Sequence, residues 1–97
     1  MSTEFFAAFN DAGALADTFT EDGVLTDDGG TFRGRDEIRE WAEANVVNVK
    51  ATVTGFQDQV ITASVAGDFP GSPLSFDFAF VTSDSGHIRR LDITPSE

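Results

Sequence analysis

After Asn45 the chain changes period. Upstream of that residue the apolar side chains recur at intervals of three and four, and downstream they alternate. The first spacing places side chains on one face of a helix, the second on one face of a strand. The firmest alternation runs from Leu74 to Thr82, with Phe76, Phe78 and Phe80 on one side and Ser75, Asp77, Ala79 and Val81 on the other. Before it, Val47, Val49, Ala51 and Val53 form one face of a strand interrupted at Gly55 and Phe56, and Ile61, Ala63 and Val65 form one face of the next. Gly67-Asp68-Phe69-Pro70-Gly71-Ser72-Pro73 connects the second and third of these strands, and its Pro-Gly step favours a type II turn. The last strand, His87 to Thr94, holds Ile88 in one phase and Leu91 and Ile93 in the other. A bulge near Arg89-Arg90 would bring all three to the core side and bend the sheet.

The helical part comes first. Phe5, Phe6, Phe9 and Ala12 recur at helical spacing with a stop at Gly13, and Leu15, Ala16 and Phe19 continue in a second short helix. Glu21-Asp22-Gly23 reads as a turn. Val24-Leu25 and Thr31-Phe32-Arg33 then flank Asp27-Asp28-Gly29-Gly30, which predicts two short strands around a glycine-rich hairpin. A third helix places Ile38, Trp41, Ala42 and Asn45 or Val46 on one face. Arg33, Arg35 and Arg39 cluster at its start, but Asp36 and Glu37 occupy its first turn and would repel an incoming anion. Arg39 is placed to pair with Asp36 and Glu43. Helices followed by a meander of long antiparallel strands make an α+β plan, with the helices packed on one face of the sheet. The length leaves room for one domain, residues 1–97.

Asp and Glu number 17 against 6 Lys and Arg, for a net charge of -11, so most of the surface should repel phosphate backbones and anionic membranes, and neither nucleic acid nor a membrane is the expected partner. No segment reaches membrane-spanning length, and MSTEFFAAFN lacks the basic and apolar regions of a signal peptide, which makes a cytoplasmic location the expectation. The chain has no cysteine and one histidine, His87, which follows the turn Ser83-Asp84-Ser85-Gly86. Neither a metal site nor a cofactor is expected from that set.

The Phe-rich first helix, the segment Phe-Thr-Glu-Asp-Gly-Val-Leu from Phe19, GRDEIREW at Gly34–Trp41 and the closing GHIRRLDI from Gly86 occur in an order that resembles the SnoaL-like, nuclear transport factor 2-like superfamily. The resemblance covers about Phe5 to Ile93. It implies a cone: three N-terminal helices packed in the concavity of a strongly curved mixed, largely antiparallel β-sheet, with a pocket between them and dimerisation through the sheet. Its members include isomerases, dehydratases and polyketide cyclases, so the resemblance implies no single activity.

The isomerase branch needs a carboxylate base, a Tyr and a protonated Asp. Counting along the motifs puts the base on Asp27, whereas the Tyr position falls on Phe6, in a chain without tyrosine. The acid position falls near Phe78, with Asp77 one residue away and facing the other side. Asp27 reads otherwise as a turn residue capping backbone N–H groups. Asp77 and Asp92 stand as its conceivable partners in a hydrolase or cyclase, and Asp77 alternatively as a partner for Arg89 or Arg90 across the sheet. Phe9, Trp41, Phe76, Phe78 and Phe80 are the candidate pocket lining, or else core filling, and the indole N–H of Trp41 needs a partner if buried. The leading expectation is a protein that binds a small hydrophobic ligand or serves an accessory role, without a complete catalytic set. The alternatives are a cofactor-independent isomerase, lyase or cyclase with Asp27 as general base, and an interaction module using the sheet face.

Overall fold

The computed structural model describes residues 2–27 and 29–96. Helices α1 (Ser2–Ala7) and α2 (Ala12–Asp17) come first, strands β1 (Phe19–Asp27) and β2 (Gly30–Arg33) follow, and helix α3 (Gly34–Asn45) comes next. Strands β3 (Lys50–Gln57), β4 (Val60–Ala66), β5 (Leu74–Thr82) and β6 (Ile88–Pro95) complete the fold. The strands form one sheet in the order β2-β1-β6-β5-β4-β3. β1 runs parallel to β6, and every other pair is antiparallel. The result is an α+β cone built on a mixed, largely antiparallel sheet that does not close on itself, with helices against its inner face.

Register shifts bend that sheet. Arg90 lies opposite Val81 while Ile88 lies opposite Thr82, so Arg89 is the extra residue of a bulge in β6. Ile88, Leu91 and Ile93 are consequently all buried, as the broken alternation predicts. A second shift, between Val53 and Gly55 of β3, falls where the alternation was interrupted.

Four local expectations need correction. Val47 and Val49 belong to the turn after α3 and not to a strand, since β3 begins only at Lys50. Gly13 lies inside α2 rather than ending α1. The break comes earlier because Asp11 caps α2, its Oδ1 accepting the Ala14 N–H at 3.1 Å, and Asp favours such caps over helix interiors. Phe19 opens β1 instead of closing α2, pairing with Ile88. Glu21-Asp22-Gly23 is an irregular stretch of β1 rather than a turn, since the pairing with β6 moves from Phe19↔Ile88 directly to Val24↔Arg90. Gly23 permits this, because a Cβ there would stand 3.0 Å from Phe19 Cδ2 and 3.2 Å from the Ile88 carbonyl.

The connection from β2 to α3 explains the arginine-rich stretch. Gly34 turns the chain with φ 84°, and Glu37 Oε1 reaches back to accept the Arg33 N–H at 2.8 Å. Arg35 donates from Nε and Nη2 to the Phe19 carbonyl, at 2.9 and 2.7 Å, tying α3 to the start of β1. Arg39 forms no ion pair with Asp36 or Glu43. Pro70-Gly71 makes the expected turn, with Gly71 at φ 83° and Ser72 N–H donating to the Phe69 carbonyl.

The core lies between the helices and the inner sheet face. Phe5, Leu15, Phe19, Leu25, Ile38, Ile88 and Leu91 are fully buried there. Among the described residues Val53, Phe56, Leu74 and Val81 are the large hydrophobic residues left exposed. No helix among the described residues is long and apolar enough to cross a membrane.

Candidate functional site

β5 repeats its phenylalanines at every second residue, so Phe76 and Phe78 present their rings to the inner side of the sheet. Val65 of β4 and Ile93 of β6 flank them and extend an apolar floor. Over this floor stands the end of α3 with the turn that follows it, Glu43 to Val49, and facing that turn are Asp68 and Phe69 of the β4–β5 connection. These walls, closed by Phe9, Asp27 and Trp41, enclose an open cavity of about 470 Å³. The size lies within the range of small-molecule sites, about 300–1,000 Å³.

Asp27 enters this cavity through strand register. The β1–β2 hairpin pairs Asp27 with Gly30, so Asp27 belongs to the ladder, two residues beyond the buried Leu25 and on the same side. Asp28 lies outside the described residues. Trp41, on the buried face of α3, donates Nε1–H to Asp27 Oδ2 at 3.0 Å. That bond supplies the partner the indole requires and fixes the carboxylate, while Asp27 Oδ1 has no partner among the described residues. Asp27 is therefore not the backbone-capping turn residue that its Asp-Asp-Gly-Gly setting suggests.

Phe9, Trp41, Phe76 and Phe78 meet at the cavity, but Phe80 does not line it. The same stripe carries Phe80 further under α1, where its ring packs against Phe5 at 5.5 Å and Phe6 at 6.2 Å. Sequence reasoning missed the rim. Val46, Val47 and Val49 line it, and Asn10 Nδ2 donates to their carbonyl oxygens at 2.9, 3.1 and 2.5 Å. Asn10 thus fastens the turn after α3 to the turn between α1 and α2. In the sequence it looks like an ordinary helix-breaking Asn, and its partners lie at least 36 residues away.

The remaining acids face elsewhere. Asp77 lies on the outer side of the sheet and accepts from the Thr62 hydroxyl at 2.7 Å. Phe78, not Asp77, therefore occupies the inner position, and Asp77 pairs with neither Arg89 nor Arg90. Asp92, also on the outer side, accepts from Thr26 Oγ1 at 2.6 Å and from Arg90 Nε at 3.0 Å. Neither carboxylate can act with Asp27 on one substrate. His87 accepts or donates at Nδ1 with Ser85 Oγ at 2.9 Å, beside its turn and away from the cavity. Among the described residues no three His, Asp or Glu side chains are grouped to hold a metal ion.

The Arg90 hydrogen bond holds the Asp92 carboxyl below the usual aspartate range, with Thr26 assisting and burial opposing. A carboxyl depressed by folding adds stability above its unfolded pKa, about 4, and loses it as pH falls through the lower folded value. The protein should therefore exceed Asp92→Asn in stability by a constant margin from neutrality down to about pH 4, and by a shrinking one below it. Urea midpoints of the two proteins across that range test this. A margin unchanged to about pH 2 would overturn it.

A sequence model described as a SnoaL-like domain matches residues 3–83. Among solved structures, a candidate polyketide cyclase from Sinorhizobium meliloti is 32% identical, with a TM-score of 0.83 over 96% of this chain and 92% of its own. A Mycobacterium tuberculosis protein superposes with a TM-score of 0.81 at 14% identity, over 95% of this chain and 85% of that one. A Sphaerobacter thermophilus protein gives 0.73 at 22% identity, over 99% and 93%. These two more distant likenesses speak for the fold alone. No curated protein matches the sequence significantly.

Proposed function

The chain belongs to the SnoaL-like domain family, and from that premise we propose that it binds a small, largely apolar molecule in the cavity between α3 and the sheet. The carrying observation is the combination of an open aromatic floor with one carboxylate whose geometry is already fixed. Asp27 is held by Trp41, and its second oxygen is available to a ligand. Pockets of this kind use apolar walls for affinity and a few placed polar groups for orientation. The narrow polar equipment favours binding over chemistry.

A second reading has one observation in its favour. Asp27 Oδ1 is free to abstract a proton from a ketone in the cavity, and the S. meliloti relative is a candidate polyketide cyclase. Such a reaction would make this chain a cofactor-independent isomerase, lyase or cyclase. The oxyanion donors are the weak point: Phe6 and Phe78 stand where that chemistry uses Tyr and Asp, and each missing donor costs about 2.7–4 kcal/mol of transition-state stabilisation.

One experiment addresses both readings. Methyl naphthyl ketone titrated in ordinary water should shift the indole N–H resonance of Trp41, the sole tryptophan, and a parallel incubation in heavy water follows exchange at the ketone. Val65→Phe, which fills the floor, should weaken that binding at least about tenfold, or about 1.4 kcal/mol. Deuteration of the ketone's methyl group, lost in Asp27→Asn, would move the conclusion to the enzyme reading. No resonance shift, or binding indifferent to Val65→Phe, would sink the cavity as the binding site.

A further inference from the structure

Resting on the reading of the cavity as a binding site, we infer that its ligand carries a protonated amine on an apolar body. Asp27, Glu43 and Asp68 line the cavity, and no Lys, Arg or His does. A concave surface lined by one sign of charge concentrates the opposite sign and repels its own. Carboxylates at neutral pH only accept hydrogen bonds, so the site calls for a ligand that donates.

The neutral donors are few. Asn45 Nδ2 already donates to the Trp41 carbonyl at 2.9 Å, which leaves the Asn48 amide at the rim. A carbonyl or carboxylate ligand would be held by its apolar body alone, because its oxygen would meet acceptors and gain no hydrogen bond to replace those lost to water. An ammonium group meets the opposite situation. Among the described residues nothing donates to Asp27 Oδ1, and Trp41 keeps Oδ2 in place so that the carboxylate is oriented before the ligand arrives.

The walls fit the same chemistry independently of the acids. Phe9, Trp41, Phe69, Phe76 and Phe78 all contribute to the lining. Aromatic faces attract a cation, a favourable interaction that neither a neutral nor an anionic head group receives. Aromatic walls beside carboxylates and no cation suit an amine.

The test uses three ligands that share one hydrocarbon body: naphthylmethylamine, naphthylmethanol and naphthoate, titrated calorimetrically into the full chain at about pH 7, where the first is a cation and the last an anion. The amine should bind at least about tenfold tighter than the alcohol, and naphthoate more weakly than either. Its advantage should narrow as salt rises from about 20 to about 500 mM, since screening acts on the charge at the mouth. Asp27→Asn, whose amide oxygen still accepts from Trp41, should bring the amine to the alcohol's affinity. An alcohol that binds as tightly as the amine, or a preference that survives both high salt and Asp27→Asn, would overturn the inference and leave the binding site standing. Failure of all three ligands to bind would remove the site itself.

Discussion

Phe5→Ala is expected to cost about 3–5 kcal/mol, the range for truncating a buried aromatic residue, and to lower the melting temperature by about 15–30 °C. Phe5 is fully buried, and its ring meets five others: Phe6 at 5.1 Å, Phe80 at 5.5 Å, Phe9 at 5.7 Å, Phe78 at 6.0 Å and Phe19 at 6.3 Å. Most of these contacts are edge-to-face, the arrangement favoured by the ring quadrupole. A helix as short as α1, 6 residues, has no stability of its own. It stays on the sheet because Phe5 anchors it to β5 and β1. Phe9, just beyond α1, lines the cavity, so the loss of this anchor should also loosen that wall. Phe56→Ala provides the control, since Phe56 is 79% exposed and its truncation should change stability by less than about 0.5 kcal/mol. Thermal and urea unfolding followed by circular dichroism measure both. A loss below about 1 kcal/mol for Phe5→Ala would mean that the aromatic cluster closes over the gap and that α1 is held elsewhere.

Where the sequence carried a clear period, it located structure closely. Strand β5 spans Leu74–Thr82 as its alternation indicates, and the phase break in β6 becomes a bulge at Arg89. Phe19 shows why period alone can mislead. It sits four residues after Leu15, as a helix would require, and it must be buried, yet burial at that point is supplied by a strand paired with Ile88. The aromatic floor of the cavity was legible because Phe76 and Phe78 follow a strand's arithmetic. The polar part was not. Whether Asp27 sits in a hairpin loop or in the ladder depends on turn length, and a two-residue loop places it in the ladder beside Trp41, 14 residues away in sequence. Phe69, Asp68 and the valines of the rim lie on connecting segments, where no periodicity reports which way a side chain points.

Arg35→Met should cost about 1.5–3 kcal/mol, the value of hydrogen bonds made by a charged donor, and should leave the Phe19 carbonyl unpaired. The position looks like part of an anion-attracting trio in the sequence, but its guanidinium is committed: Nε and Nη2 both point at that carbonyl, at 2.9 and 2.7 Å. The neighbouring Thr18 carbonyl accepts the Ile88 N–H at 2.8 Å, so the same corner joins α2, α3, β1 and the start of β6. Lysine cannot reproduce the two-pronged contact, because its ammonium is a single point on a flexible stem. Arg35→Lys should therefore recover less than half of the loss, whereas a purely electrostatic role would be restored in full. Urea unfolding gives the energies, and amide hydrogen exchange at Ile88 gives the location, since that N–H should exchange faster in Arg35→Met than in the parent protein. A methionine variant within about 0.5 kcal/mol of the parent, with Ile88 exchange unchanged, would show that water satisfies the Phe19 carbonyl as well as Arg35 does.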